Sequence, residues 1–370
     1  MWISQLDLTQ WRNHEATRTE FGHGISVLIG PNGQGKTNVV EALRYLATLS
    51  SHRVASHGPL IGDNHDTATI FAHLHHGERQ VSAGLTLKRR GASEAILNGK
   101  KTKVSEIPRW VSTVMFAPED SAIIRGEPGF RRTFLDELVV GSAPSMVATF
   151  SEFERVLKQR NSLLKSLKKS ARSADLSTLA TWTERLAHSA AGIIHERIQS
   201  LQDISPYVTG EYENLAGGDP ITLTYQPKGY ELKEVSHESI FSALTQALHE
   251  VQTEELERGM TLVGPHRDDA ELLIASRPAR THASQGETWS LALALRLGMA
   301  SWIRSTRASG DPIMILDDVF AELDSRRRDK LVSSISSYEQ LLITTAVEED
   351  LPSNLQGERF DVREGVVSRR

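Results

Sequence analysis

Eight consecutive residues, Gly30-Pro31-Asn32-Gly33-Gln34-Gly35-Lys36-Thr37, carry the clearest chemistry in this 370-residue chain. They fit the spacing G-x-x-x-x-G-K-[ST], in which the N–H groups of a glycine-rich turn converge on phosphate oxygens. In that pattern the lysine, here Lys36, reaches the β- and γ-phosphates, and the hydroxyl after it, here Thr37, binds Mg²⁺. Such a loop works only if a strand delivers it and a helix continues it. Residues 25–29 form a short apolar run that reads as a buried strand. Residues 38–47 then place Val39, Val40, Leu43, Leu46 and Ala47 on one helical face. The start of that helix adds partial positive charge where an anion would lie. The chain is therefore expected to bind a nucleoside triphosphate.

Two later segments supply complementary groups. Ile313-Met314-Ile315-Leu316 is an apolar run ending in Asp317-Asp318. It reads as a buried parallel strand, whose C-terminal end is where ligands bind in open α/β sheets. Asp317 is expected to hold Mg²⁺, and Asp318 to polarise a water near the γ-phosphate. Upstream, Ser284-Gln285-Gly286-Glu287 has the spacing of a capping box at a helix start. A Ser followed by Gly at an exposed helix N-terminus can also hold a phosphate from outside, which makes Ser284 and Gly286 candidates for a second half of the site.

The elements that must position these groups come in three blocks. Residues 1–118 read as strand-rich apart from the helix after the loop, with a hairpin over 67–88 and a tight turn at Asn98-Gly99. Residues 119–257 are mainly helical in period, interrupted by a short alternating stretch at 221–225. Residues 258–370 return to alternating strands and helices. The expected fold class is α/β: a head built from both ends of the chain, with an inserted, mainly α-helical domain. There is no bilayer-length apolar run, no hydrophobic leader after the first methionine and no cysteine, so the reading is cytoplasmic, without membrane, disulfides or thiolate metal sites. Net charge is −5, so any nucleic-acid contact must come from local basic patches.

The order of glycine-rich loop, Ser-x-Gly-acid, Asp-Asp strand and Ala321-Glu322-Leu323-Asp324 resembles the ATP-binding-cassette ATPases. That resemblance implies a head-to-head dimer in which Ser284 of one copy closes on ATP held by the other. A narrower resemblance rests on Trp11-Arg12-Asn13-His14, Gly30 through Asn38, Ser51-His52-Arg53, Phe116-Ala-Pro-Glu-Asp120, Arg131-Arg132-Thr-Phe-Leu-Asp136, Gly264-Pro-His-Arg-Asp-Asp269, Asp317 through Asp324 and Ile343-Thr-Thr345. These look like the RecF family of bacterial replication and repair proteins, which resemble SMC heads without the long coiled coil. The family implies that Arg12, Asn13, Gly30 through Asn38, Ser284 and Gly286 meet ATP. It implies a weak, DNA-stimulated ATPase used as a switch, ATP-dependent homodimerisation on single-stranded, duplex or gapped DNA, and cooperation with RecR and RecO to load RecA. Two residues depart from the pattern. Glu287 stands where the family commonly has Gln, and Ala283 where transporter relatives have Leu; both bear on how strongly ATP closes the dimer. The competing reading is the ATPase subunit of a membrane transporter, which the large insertion and the Gly-Pro-His-Arg-Asp-Asp motif oppose.

Two basic segments are candidate DNA contacts. Residues 155–172 hold seven basic residues and no acid: Arg155, Lys158, Arg160, Lys165, Lys168, Lys169 and Arg172, in a helix or in a hairpin turning near Ser170. Lys100, Lys101 and Lys103 follow the Asn98-Gly99 turn. Arg326-Arg327-Arg328 opens a helix and can pair across a dimer. His73, His75 and His76 read as a surface hairpin without a completing carboxylate, not as a metal set.

Overall fold

The computed structural model describes residues 1–54, 56–169, 176–307, 310–323, 325–353 and 355–370. Ser170, Arg172 and Asp324, singled out above, lie outside the described residues. The chain forms two compact units, one of Met1–Ser121, Pro206–Asp219 and Ser284–Arg370, the other of Ala122–Ser205 and Pro220–Ala283.

The first unit contains two six-stranded sheets. One is antiparallel, in the order β2-β1-β4-β5-β6-β7. It is built from β1 (Trp2–Trp11), β2 (His14–Glu20), β4 (Thr67–His76), β5 (Arg79–Lys88), β6 (Glu94–Leu97) and β7 (Lys100–Thr102). The other runs β15-β14-β3-β13-β12-β8. Its strands are β3 (Gly24–Ile29), β8 (Thr113–Phe116), β12 (Ile313–Asp317), β13 (Gln340–Thr345), β14 (Glu358–Arg363) and β15 (Val366–Arg369). All its pairings are parallel except β14 with β15. The central strands β12 and β13 are buried at every position, as strands covered on both faces must be. β1 instead alternates, with Ile3, Leu6 and Leu8 inward.

Helix α1 (Lys36–Thr48) joins the two sheets through one apolar cluster. Its Val39, Leu43 and Leu46 share that cluster with Leu8, Ile70 and Leu85 of the antiparallel sheet and with Ile313, Ile315 and Leu342 of the parallel one. Each such side chain contributes about 1.5–3 kcal/mol of transfer free energy, so the loop before α1 starts from a fixed point. The unit also holds α9 (Gln285–Thr306) and α10 (Ser325–Ile335). Helix α9 is buried along most of its length, and a Cβ on its Gly298 would lie 2.8–3.0 Å from Val208.

The second unit contains α2 (Ser121–Arg125, whose first residue belongs to the first unit), α3 (Pro128–Ser142) and α4 (Met146–Lys169). The long helix α5 (Ser177–Ala216) belongs to the second unit as far as Ser205 and to the first from Pro206. Then follow β9 (Ile221–Gln226), α6 (His237–Glu250), α7 (Gln252–Arg258), β10 (Asp269–Ile274), β11 (Arg277–Pro278) and α8 (Ala279–His282). Residues 258–283, assigned from sequence to the third block, belong here because β10 pairs with β9 over six positions.

Here the Gly264-Pro-His-Arg-Asp-Asp segment has a structural part. Asp268 is buried and accepts hydrogen bonds from the hydroxyls of Tyr225 (2.6 Å) and Tyr230 (2.5 Å) and from the Lys228 N–H (2.9 Å). Asp269 receives a two-pronged bond from Arg131, at 2.7 and 3.0 Å. Burial pushes the His266 imidazole down to about 4, so it is neutral at pH 7.

Candidate nucleotide site

The glycine-rich loop leaves the C-terminal end of β3 and enters α1. Gly35, the cap of α1, has φ +113, a conformation that L side chains rarely adopt. A Cβ there would also lie 2.8 Å from His14 Nε2 and 2.9 Å from Asn13 Oδ1. Gly30 lacks a side chain for another reason, since its Cβ would lie 2.2 Å from the Val362 carbonyl. The Lys36 ammonium folds back over the loop and donates to the carbonyls of Gly30 (2.7 Å) and Pro31 (3.2 Å).

The loop is braced from two directions. Asn13 Nδ2 donates to the Gln34 carbonyl (3.1 Å), and Asn38 Nδ2 donates to Asn13 Oδ1 (2.7 Å). The turn between β14 and β15 supports the other side. The Gly365 N–H donates to the Gln34 carbonyl (3.0 Å), and the Glu364 N–H to Gln34 Oε1 (2.7 Å). The His14 ring lies between, 3.1 Å from the Gly35 carbonyl and 2.6 Å from that of Gly365, and burial lowers its pKa. Arg12 has a structural partner beside the loop. Its guanidinium grips the buried Glu41 of α1 in a two-pronged pair, at 2.9 and 2.7 Å.

Asp317 and Asp318 stand at the end of β12. Thr37 donates to Asp317 Oδ1 at 3.1 Å across 280 residues of chain. Burial pushes the Asp317 carboxyl up to about 6; the charges of Asp318 and Glu119 add to this, and hydroxyl bonds from Thr344 and Thr37 oppose it. A hydroxyl and a carboxylate are hard oxygen donors, and Mg²⁺ commonly takes one or two carboxylates plus substrate phosphates, so the pair fits that ion. Glu119, just past β8, is the acidic neighbour that spacing did not reveal; the parallel pairing of β8 with β12 brings it close. Among the described residues, no group of three or more His, Asp or Glu is placed to hold a metal by itself, and the histidine-rich hairpin is otherwise engaged. His75 stacks on Trp2 at 4.1 Å, and His76 donates to the Trp110 carbonyl at 2.9 Å.

Ser284 caps α9 with the expected reciprocal box. The Glu287 N–H donates to Ser284 Oγ (3.3 Å), and the Ser284 N–H donates to Glu287 Oε2 (2.7 Å). The carboxylate of Glu287 is thereby turned back onto the cap, and its bonds with Ser284 hold its pKa low. Ser284, Gly286, Glu287, Arg327 and Lys330 line a cleft of about 280 Å³. A Cβ on Gly286 would lie 2.4 Å from Arg327 Nη2, so the glycine is what lets the guanidinium rest on the helix start.

The basic stretch of α4 is partly spent inside its own unit. Arg160 is buried and paired with Glu255 at 2.6 Å, and Arg155 pairs with Glu152 at 2.7 Å. Arg160 is thereby withdrawn from any surface phosphate contact, whereas Arg155 remains exposed. Lys100, Lys101 and Lys103, in the first unit, are exposed.

A parallel sheet with a phosphate loop at one strand end, an Asp-Asp strand two positions away and a serine-capped helix define the class: a P-loop ATPase head of the ABC/SMC type. A family model described as RecF/RecN/SMC N terminal domain matches residues 2–358. The DNA replication and repair protein RecF of Streptomyces avermitilis is 42% identical over 375 residues, covering 100% of both chains. A solved recombination mediator protein RecF of the RecFOR pathway, described as RecF-ATPrS, superposes with a TM-score of 0.89 at 26% identity, over 100% of this chain and 98% of that one. The chain belongs to the RecF family of DNA replication and repair proteins. The Smc head domain from Pyrococcus yayanosii, at 16% identity and a TM-score of 0.55 over 100% of this chain and 96% of that one, shares the head fold. The transporter-subunit reading falls with this membership. Among the described residues, no helix is long and apolar enough to cross a membrane.

Proposed function

We propose that this chain is an ATP-gated, DNA-binding switch of recombinational repair. The N–H groups of Gly33 through Thr37 and the Lys36 ammonium bind the triphosphate, and Asn13 and Asn38 keep the loop in shape. Thr37 and Asp317 hold Mg²⁺, which neutralises charge on the β- and γ-phosphates when bound. Two copies close head to head, each presenting Ser284, Gly286 and Arg327 to the triphosphate held by the other. Asp318 accepts a proton from the water that attacks the γ-phosphorus. The bond to the bridging oxygen breaks, and ADP and phosphate leave as the dimer opens. The closed dimer acts on single-stranded or gapped DNA with RecR and RecO to promote RecA loading; the exposed Lys100, Lys101 and Lys103 supply phosphate contacts.

The observation that carries this reading is the Thr37–Asp317 bond, which brings the two ends of the chain into one site, together with likeness to RecF solved with ATP. The test measures sedimentation and DNA gel shift with ATP, ADP and a non-hydrolysable analogue. ATP and the analogue are expected to give dimers with raised affinity for gapped DNA. Failure of ATP to raise affinity for any duplex, single-stranded or gapped DNA overturns the reading.

A further inference from the structure

We propose that Thr344 is a positioning residue for hydrolysis: its single hydroxyl bonds the Asp317 carboxylate and the Asp318 N–H, so one group holds both the Asp317 side chain and the backbone that carries the Asp318 side chain. The inference rests on the ATP-hydrolysing reading above and goes beyond it in naming what orients the Asp-Asp pair.

The register of the parallel sheet puts Thr344 of β13 directly beside Asp317 of β12. Thr344 is 0% exposed. Its Oγ1 donates to Asp317 Oδ1 at 2.5 Å and accepts from the Asp318 N–H at 3.0 Å. A hydroxyl has one proton to give and lone pairs to receive, and both capacities are used here. Asp318 has φ +52, a left-handed conformation that a non-glycine residue keeps only where its surroundings maintain it. The Thr344 hydroxyl and the Thr344 carbonyl, 3.3 Å from the same N–H, are those surroundings.

Residue type points the same way. Valine has the shape of threonine and suits a fully buried strand better, so the hydroxyl is favoured there only when it is bonded. The neighbouring Thr345 has a separate task, donating to the Val347 carbonyl at 2.8 Å in the loop after β13. Thr344 lies outside the set assigned to Mg²⁺, yet its one oxygen touches the Asp317 carboxylate and the Asp318 backbone. Loss of a residue that orients metal ligands typically costs 10–100-fold in metal affinity or activity.

The test compares Thr344→Val with Thr344→Ser in the full chain, following ATP turnover and the Mg²⁺ dependence of ATP-induced dimerisation by sedimentation. Thr344→Val is expected to lower kcat about 10–100-fold with the KM for ATP within about threefold, and to raise the Mg²⁺ needed for half-maximal dimer about tenfold. Thr344→Ser keeps the hydroxyl and is expected to stay within about threefold of the parent chain in all three. If Thr344→Val fails to fold, Thr344→Ala against Thr344→Ser supplies the same contrast. Parent-like turnover in the hydroxyl-free variant, or equal impairment of the serine variant, overturns the proposal. A parent chain that forms no Mg·ATP-dependent dimer instead sinks the reading of the whole site.

Discussion

Replacing Arg12 by alanine tests how much its pair with Glu41 holds α1 in place. The Glu41 side chain is fully buried and Arg12 only 15% exposed, so the pair is screened little by water. Breaking a buried pair by removing one partner costs about 3–5 kcal/mol, because the other charge is left uncompensated. Ser51, 2.5 Å from Glu41 Oε1, and Arg53, 3.7 Å from Oε2, soften this, so the lower end, about 3 kcal/mol, is expected. For a domain of 150–250 residues that is a fall in Tm of roughly 6–12 °C. Burial pushes the Glu41 carboxyl up, but bonds from Arg12 and Ser51 outweigh it and hold its pKa below the ordinary value. A lowered carboxyl pKa gives stability that is present above the unfolded pKa and lost as pH falls through the folded one. Without Arg12, burial dominates and Glu41 takes up a proton more readily. The deficit of Arg12→Ala relative to the parent should therefore narrow on acidification below about pH 5. Urea unfolding at pH 7.5 and pH 4.5 measures both quantities, and Glu41→Leu added to Arg12→Ala should recover part of the loss. A deficit under about 0.5 kcal/mol, or one that grows toward low pH, refutes the argument.

Three further outcomes are expected. Lys36→Ala should abolish ATP binding in calorimetry, whereas Asp318→Asn should bind ATP and accumulate as a dimer; monomers alone on sedimentation with ATP would contradict the role of Asp318. Gly286→Ala puts a methyl 2.4 Å from the end of a flexible arginine, so stability should change by less than about 1 kcal/mol while Arg327 is displaced and ATP-dependent dimerisation weakens. An unchanged dimer would show that the cleft is not part of the closure. His266 has a folded pKa of about 4 against 6.5 unfolded, so the unfolded chain binds the extra proton and stability falls with acid between those values. Between pH 7.5 and 5 this removes about 2 kcal/mol in urea unfolding, and His266→Gln should lose that share of the pH dependence.

Local patterns were legible because local physics determines them. The phosphate loop, the helix after it, the Ser284 cap and the β12 strand were all read from contiguous residues. The Asn98-Gly99 turn between β6 and β7 was equally plain. Pairings across long stretches of chain were not. Nothing near Thr344 in sequence announces Asp317 as its partner, and the burial of Arg160 against Glu255 is invisible in a run of lysines and arginines. The third-block boundary was missed because β9, an isolated alternating stretch, takes its partner β10 from beyond two further helices. The Arg12–Glu41 pair likewise joins residues 29 positions apart and has no local signature.

The strand that delivers the phosphate loop, β3, has β13 on one side and β14 on the other. Both come from residue 340 onward, whereas the loop begins at residue 30. At roughly 5–20 residues per second, a ribosome takes on the order of 15–65 s to travel between them. Throughout that interval the nascent chain carries the complete phosphate-loop sequence without the strands that flank β3 or the Gly365 turn that braces Gln34. A chain cut before Gln340 therefore lacks both neighbours of β3 and the turn that braces the loop.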